Sequence, residues 1–120
     1  MFHSQRVDLH FDRARETYSK TKSYPHHATM HITLEPGTAK EIELLTLLDA
    51  GSCVLFASST PTSADPYVPN KFTVQLDGGD VLQVDDMILL NLSARPDLVA
   101  FATAAGATAD VDLIIQLAGQ

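Results

Sequence analysis

The sequence predicts an all-β fold: one antiparallel β-sandwich or jelly-roll-like domain of about eight short strands over residues 25–120. An N-terminal arm or short helix, residues 1–24, precedes it. Three observations lead there. Apolar residues recur with period two from residue 28 onward, as in strands with one buried face. Gly, Pro, Asn and Asp clusters interrupt those runs at short, regular intervals, which is the spacing of a sandwich or barrel. The length of 120 residues, 45% hydrophobic and 19% charged, fits one globular domain with a real core.

The first 24 residues are ambiguous in period. Val7, Leu9 and Phe11 alternate like a strand, while Val7, Phe11, Ala14 and Tyr18 share a helical face. Glu16 and Lys20 stand at a helical i,i+4 spacing, and a short helix or extended arm is expected. From Ala28 the pattern clears. Ala28, Met30, Ile32 and Leu34 alternate with Thr29, His31, Thr33 and Glu35, and Pro36-Gly37 ends the strand.

"AKEIELLTLL" reads as a strand through Ile42 and Leu44 or as a short helical turn at its leucines, before Asp49-Ala50-Gly51 breaks it. "CVLFA" is a buried strand by length and composition. Residues 57–71, "ASSTPTSADPYVPNK", hold three prolines and form a loop of about fifteen residues, long enough to suggest partner contact. "FTVQLDGGDVLQVDD" reads as a hairpin, with Gly78-Gly79 supplying the positive φ of its turn. "MILLNLS" is a further strand. "LVAFAT" is expected to pair with "DVDLIIQL" across "AAGATA", with Val111, Leu113, Ile115 and Leu117 turned inward.

Charge narrows the function classes. The net charge of −7 argues against a general nucleic-acid binder, which needs clustered Lys and Arg. Residues 1–24 hold five basic groups against three acids, net +2; the rest hold three bases against twelve acids, net −9. Such an arm suits docking on the acidic body of a neighbouring copy or of another protein. No apolar leader and no run near the ~18 residues of a membrane helix is visible, so a soluble protein made in a cytoplasm is expected. The single cysteine, Cys53, excludes an intrachain disulfide.

The stretch "PHHATMHITLEPGT" looks most like chemistry, with His26, His27, His31 and Glu35. A metal ion needs three or four ligands within about 2.0–2.3 Å. On a strand, His27, His31 and Glu35 share a face but stand about 13 Å apart at ~3.3 Å per residue. The stretch resembles the metal motif of cupins, in which His-x-His precedes a Glu and a later His. Here the spacing is His27-x-x-x-His31, and no histidine follows residue 31. No metal is therefore expected.

Asp77, Asp80, Asp85 and Asp86 are the densest acidic group, but they lack calcium-loop spacing and read as turn residues. Ser52, Cys53, Ser58, Ser59 and Ser93 lie in no nucleophile motif, and all histidines precede residue 32. No catalytic residue and no cofactor is expected.

The body resembles the small β-sandwich accessory proteins of tailed bacteriophage virions. The resemblance is carried by "LEPGTAKEIELL", "CVLFASST", "VQLDGGDVLQVD" and the closing "ATADVDLIIQLAG", and it covers about 90 residues. It implies a non-enzymatic virion component such as a capsid decoration, cement or head–tail protein. Such a protein would oligomerise, with a trimer favoured, against the major capsid protein or another virion protein. The expected partner-binding residues are Arg6, Phe11, Arg13, Arg15 and Tyr18 of the arm and Pro66, Tyr67 and Pro69 of the loop. The alternatives are a cupin-like small metal- or sugar-binding sandwich and a cellular protein-interaction module.

Overall fold

The computed structural model describes residues 3–11, 16–24, 26–44 and 51–119, and side chains from His27 onward apart from Ala64. Twelve strands are formed by these residues: β1 (His3–Phe11), β2 (Glu16–Tyr24), β3 (His26–Leu34), β4 (Lys40–Glu43), β5 (Cys53–Ser59), β6 (Ser63–Ala64), β7 (Tyr67–Val68), β8 (Phe72–Leu76), β9 (Val81–Val84), β10 (Met87–Leu92), β11 (Leu98–Thr103) and β12 (Val111–Gly119). Eight of them build two four-stranded antiparallel sheets, ordered β10-β5-β12-β3 and β4-β11-β8-β9. Successive strands mostly change sheet, and β8–β9 is the one same-sheet hairpin of the eight. Numbered in chain order, the two sheets read 6-3-8-1 and 2-7-4-5. That is the double Greek key of a jelly roll.

The alternation seen in the sequence explains which side chains meet. Val111, Leu113, Ile115 and Leu117 of β12 are buried, and the intervening Asp112, Ile114 and Gln116 are exposed. They face Val74, Phe72, Val99 and Phe101 from the other sheet, all of them fully buried in one cluster with Leu34 and Leu55. Burying a side chain of this kind is worth about 1.5–3 kcal/mol, so the shared interior is the main source of stability.

Several expectations need correction. Residues 3–11 and 16–24 form an antiparallel strand pair with Val7 opposite Lys20 and Leu9 opposite Tyr18, so of the two expected alternatives these residues take the extended one and not the helix. The segment "TYSKTKS" is rich in Ser, Thr and Tyr, all poorer helix formers than Ala, Leu or Glu, so strand pairing prevails. β11 does not pair with β12. It lies between β4 and β8, while β12 lies between β3 and β5, in the other sheet. Both strands carry an apolar face, and a sandwich needs one such face on each side of the core.

The expected loop 57–71 is shorter, because β5 runs on to Ser59, and the remainder contains the small β6–β7 hairpin. The β8–β9 turn sits one residue earlier than expected. Asp77 (φ 48°) and Gly78 (φ 69°) take the positive φ values, and the Gly79 N–H donates to the Leu76 carbonyl at 2.9 Å. Two successive positive φ values at an Asp-Gly pair suit the right-handed twist of a hairpin. The "AKEIELL" stretch is strand through Glu43, with Leu44 buried; residues 45–50 lie outside the described residues.

Candidate interaction surface

The histidine strand behaves as its spacing requires. His27, Thr29, His31, Thr33 and Glu35 are exposed, and Leu34 is buried beneath them. Ala28, Met30 and Ile32 are only half-buried because β3 is the edge of its sheet. A depression of about 300 Å³ lies beside His31, Thr33, Thr60, Asp112 and Ile114. In it the Thr33 hydroxyl donates to Asp112 Oδ1 at 2.7 Å. Among the described residues no group of three or more His, Cys, Asp or Glu could hold a metal ion.

The acidic turn has a structural task at one position. Asp77 Oδ1 accepts from the backbone N–H groups of Asp97 and Leu98, both at 2.9 Å, and so pins the start of β11 to the β8–β9 turn. Cys53 is buried, and that burial raises its thiol pKa, partly offset by the nearby Arg95 charge. It is therefore held as a neutral thiol at neutral pH.

The surface that departs from ordinary sandwich chemistry is the lateral flank made by β9 and β10. These strands are the edges of their respective sheets and are joined through Asp85-Asp86. Val81 and Leu82 of β9 and Met87 and Leu89 of β10 are exposed, Met87 to 58%. The patch continues inward over the sheet, where Met87 is level with Ser58 and Ser58 with exposed Ile114, and Leu89 with Phe56.

The loop folds against this same flank. The Tyr67 hydroxyl donates to Asp86 Oδ2, and Tyr67 and Val68 are exposed beside it. That hydrogen bond, with the negative charges of Asp86 and Asp85, raises the Tyr67 pKa. The base of the loop is closed by the buried Ser59, whose hydroxyl donates to the Asn70 carbonyl at 2.7 Å. Thr62 N–H donates to Val68 O at 2.9 Å, so the loop is held by its own bonds instead of awaiting a partner to order it.

Of the candidate partner residues, Tyr67 is exposed, Pro66 is exposed and Pro69 half-buried, all in this loop. Arg6, Phe11 and Tyr18 lie on the β1–β2 hairpin, and Arg13 and Arg15 lie outside the described residues. Sequence reasoning missed Val81, Leu82, Met87, Leu89 and Ile114. Their signal was there: "MILLNL" is apolar at both parities, the pattern of a strand covered on both faces. Here β10 sits at an edge, and among the described residues one side is left open.

Fold and surface together define a jelly-roll sandwich with an apolar, acid-rimmed flank. Among solved structures, the chain is similar to the cupin domain of Cnp3 from Schizosaccharomyces pombe, with a TM-score of 0.47 and 7% identity. The match covers 98% of this chain and 88% of that one. No protein-family model and no curated protein matches the sequence.

Proposed function

We propose that the chain is a non-enzymatic structural protein of a bacteriophage virion, a capsid decoration or cement protein. It docks on the capsid shell and on neighbouring protomers through residues 1–24 and the 57–71 loop, with a trimer as the favoured assembly. The observation that carries this reading is the β9–β10 flank, where Met87, Leu89, Val81 and Leu82 are exposed and Asp86, between the two strands, accepts a hydrogen bond from Tyr67 of that loop. Large exposed apolar patches on an acidic surface mark protein contact sites.

The test is co-sedimentation of the purified chain with particles of the phage whose capsid or portal genes adjoin its gene. Saturable binding to the shell is expected. A chain whose neighbouring genes encode no virion protein, and which stays in the supernatant, would defeat the reading.

A further inference from the structure

We propose that the depression beside β3 and β12 is a binding site for one neutral saccharide unit. The inference goes beyond the virion reading and does not depend on it.

The site is a product of register. Thr33 of β3 stands opposite Asp112 of β12. On the other side of β12, Leu113 is level with Ser59, and the Thr60 N–H donates to the Asp112 carbonyl at 3.0 Å. Thr33, Asp112 and Thr60 therefore form one row across the sheet, at about 4.8 Å per strand. Two residues along, His31 stands opposite Ile114 in the next row of the same face. All five residues are exposed, and they border an open space of about 300 Å³. A row of three short side chains beside the longer His31 and Ile114 makes the trough.

The polar groups there have bonding capacity to spare. Asp112 Oδ1 accepts from the Thr33 hydroxyl at 2.7 Å, and among the described residues that is the one bond its carboxylate makes. Among the same residues, the His31 ring and the Thr60 hydroxyl make none. A carboxylate has about four lone-pair sites, so Asp112 Oδ2 can still accept. A threonine hydroxyl both donates and accepts, and a neutral imidazole has one donor and one acceptor nitrogen.

Charge selects the class of ligand. Lys40 Nζ donates to the Thr33 carbonyl at 3.4 Å, which puts a positive charge at the same corner as the Asp112 carboxylate. An anion would meet Asp112 and a cation would meet Lys40, while a neutral ligand escapes both penalties. Sugar hydroxyls donate and accept, as this mixture of groups requires. Exposed Ile114 offers an apolar contact to the C–H face of the ring. The volume is at the small end of the ~300–1,000 Å³ range of ligand sites, so it suits a single unit and not a chain. That unit could be a free monosaccharide or the end of a glycan.

The experiment is a titration of the full-length chain with glucose, galactose, mannose and N-acetylglucosamine, followed by amide NMR. At least one sugar is expected to shift the signals of residues 31, 33, 60, 112 and 114 saturably, with a dissociation constant on the order of 1 mM. Asp112→Asn keeps an acceptor for Thr33 but replaces the second oxygen with a donor, and should weaken binding about tenfold or more. His31→Ala, at an exposed position, should also weaken it, so the test survives if one of the two variants fails to fold. Asn91→Ala, exposed on β10 and outside the depression, should bind as the wild-type chain does.

The same sugars linked to agarose through the anomeric carbon separate the two sources. Retention of the chain identifies a glycan end, and passage despite binding of the free sugar identifies a monosaccharide. The proposal is overturned if none of the sugars shifts these signals, or if Asp112→Asn binds as well as the wild-type chain. It is also overturned if spermidine moves the same signals more strongly than any sugar, since the site would then be one for cations. Particle co-sedimentation bears on the virion reading alone.

Discussion

The sandwich has two lateral flanks built from the same kind of element, the edge strands of its two sheets, and they are finished in opposite ways. On the β3–β4 side, β4 places Lys40, Glu41 and Glu43 at the edge, and β3 turns His27, Thr29, His31 and Thr33 outward. Lys40 Nζ also reaches the Thr33 carbonyl at 3.4 Å, so a charge sits across the gap between the two edges. On the β9–β10 side neither strand has a charge, and Met87 and Val81 are 58% and 51% exposed. Edge strands are templates for unwanted pairing, and Lys on an edge is a standard deterrent. One flank carries that deterrent and the other lacks it, and the proposed protein contact is placed on the second for that reason.

The sharpest contrast comes from truncating the interior that both flanks share. Phe101→Ala removes a ring with no exposed surface and should cost about 3–5 kcal/mol in urea unfolding. Met87→Ala, a comparable loss of apolar atoms on the open flank, should change stability by no more than about 0.5 kcal/mol. An equal loss for both would mean that Met87 is core and the flank is not a surface.

Exchanging the finish of the flanks should have the next largest effect. Lys40→Thr with Glu41→Thr and Glu43→Thr leaves β4 with the backbone of a strand and no charge to discourage pairing. The variant is expected to aggregate or to form larger species by light scattering at concentrations where the wild-type chain does not. If its size distribution is unchanged, the charges on β4 are not what keeps that edge unpaired.

How much of this was legible depended on whether one face of a strand is enough to identify it. β3 and β12 alternate cleanly, and their inward stripes came out as expected. The jelly-roll class followed from the count of such strands and the turns between them. Pairing partners were not legible, because "LVAFAT" and "DVDLIIQL" each declare an inward face but not the sheet to which they belong. The hairpin was ambiguous because Val7 and Phe11 satisfy both periods. The flank was hidden for a different reason. An apolar run such as "MILLNL" reads as fully buried until the topology places it at an edge. Tyr67, in contrast, stood out through its proline-rich setting, although its link to Asp86 is purely tertiary.

A smaller effect is expected where the loop meets the body. Ser59→Ala removes a buried hydroxyl that donates to the Asn70 carbonyl at 2.7 Å and contacts the Asp86 carbonyl at 3.3 Å. A net loss of about 1 kcal/mol is expected, together with faster amide exchange in residues 60–70. Unchanged exchange there would show that the β6–β7 hairpin holds the loop without this anchor.

The smallest effect concerns the one hydrogen bond that ties the loop to the apolar flank. The Tyr67 pKa is raised above 10.0 by its hydrogen bond to Asp86 and by the adjacent carboxylate charges. A raised folded-state pKa means that the neutral phenol is favoured in the fold. Its contribution is therefore complete below pH 10 and disappears as the pH rises through the folded value. Tyr67 is solvent-exposed, so screening keeps the effect on overall stability slight. The expected signature is local: in an ultraviolet titration, Tyr67→Phe should remove a tyrosine transition that lies above the ordinary tyrosine value. If Tyr67→Phe instead removes a transition at the ordinary tyrosine pKa, the Asp86 contact does not persist in solution. Tyr67 would then be tied to the flank by no side-chain bond, and it would drop out of the proposed contact surface.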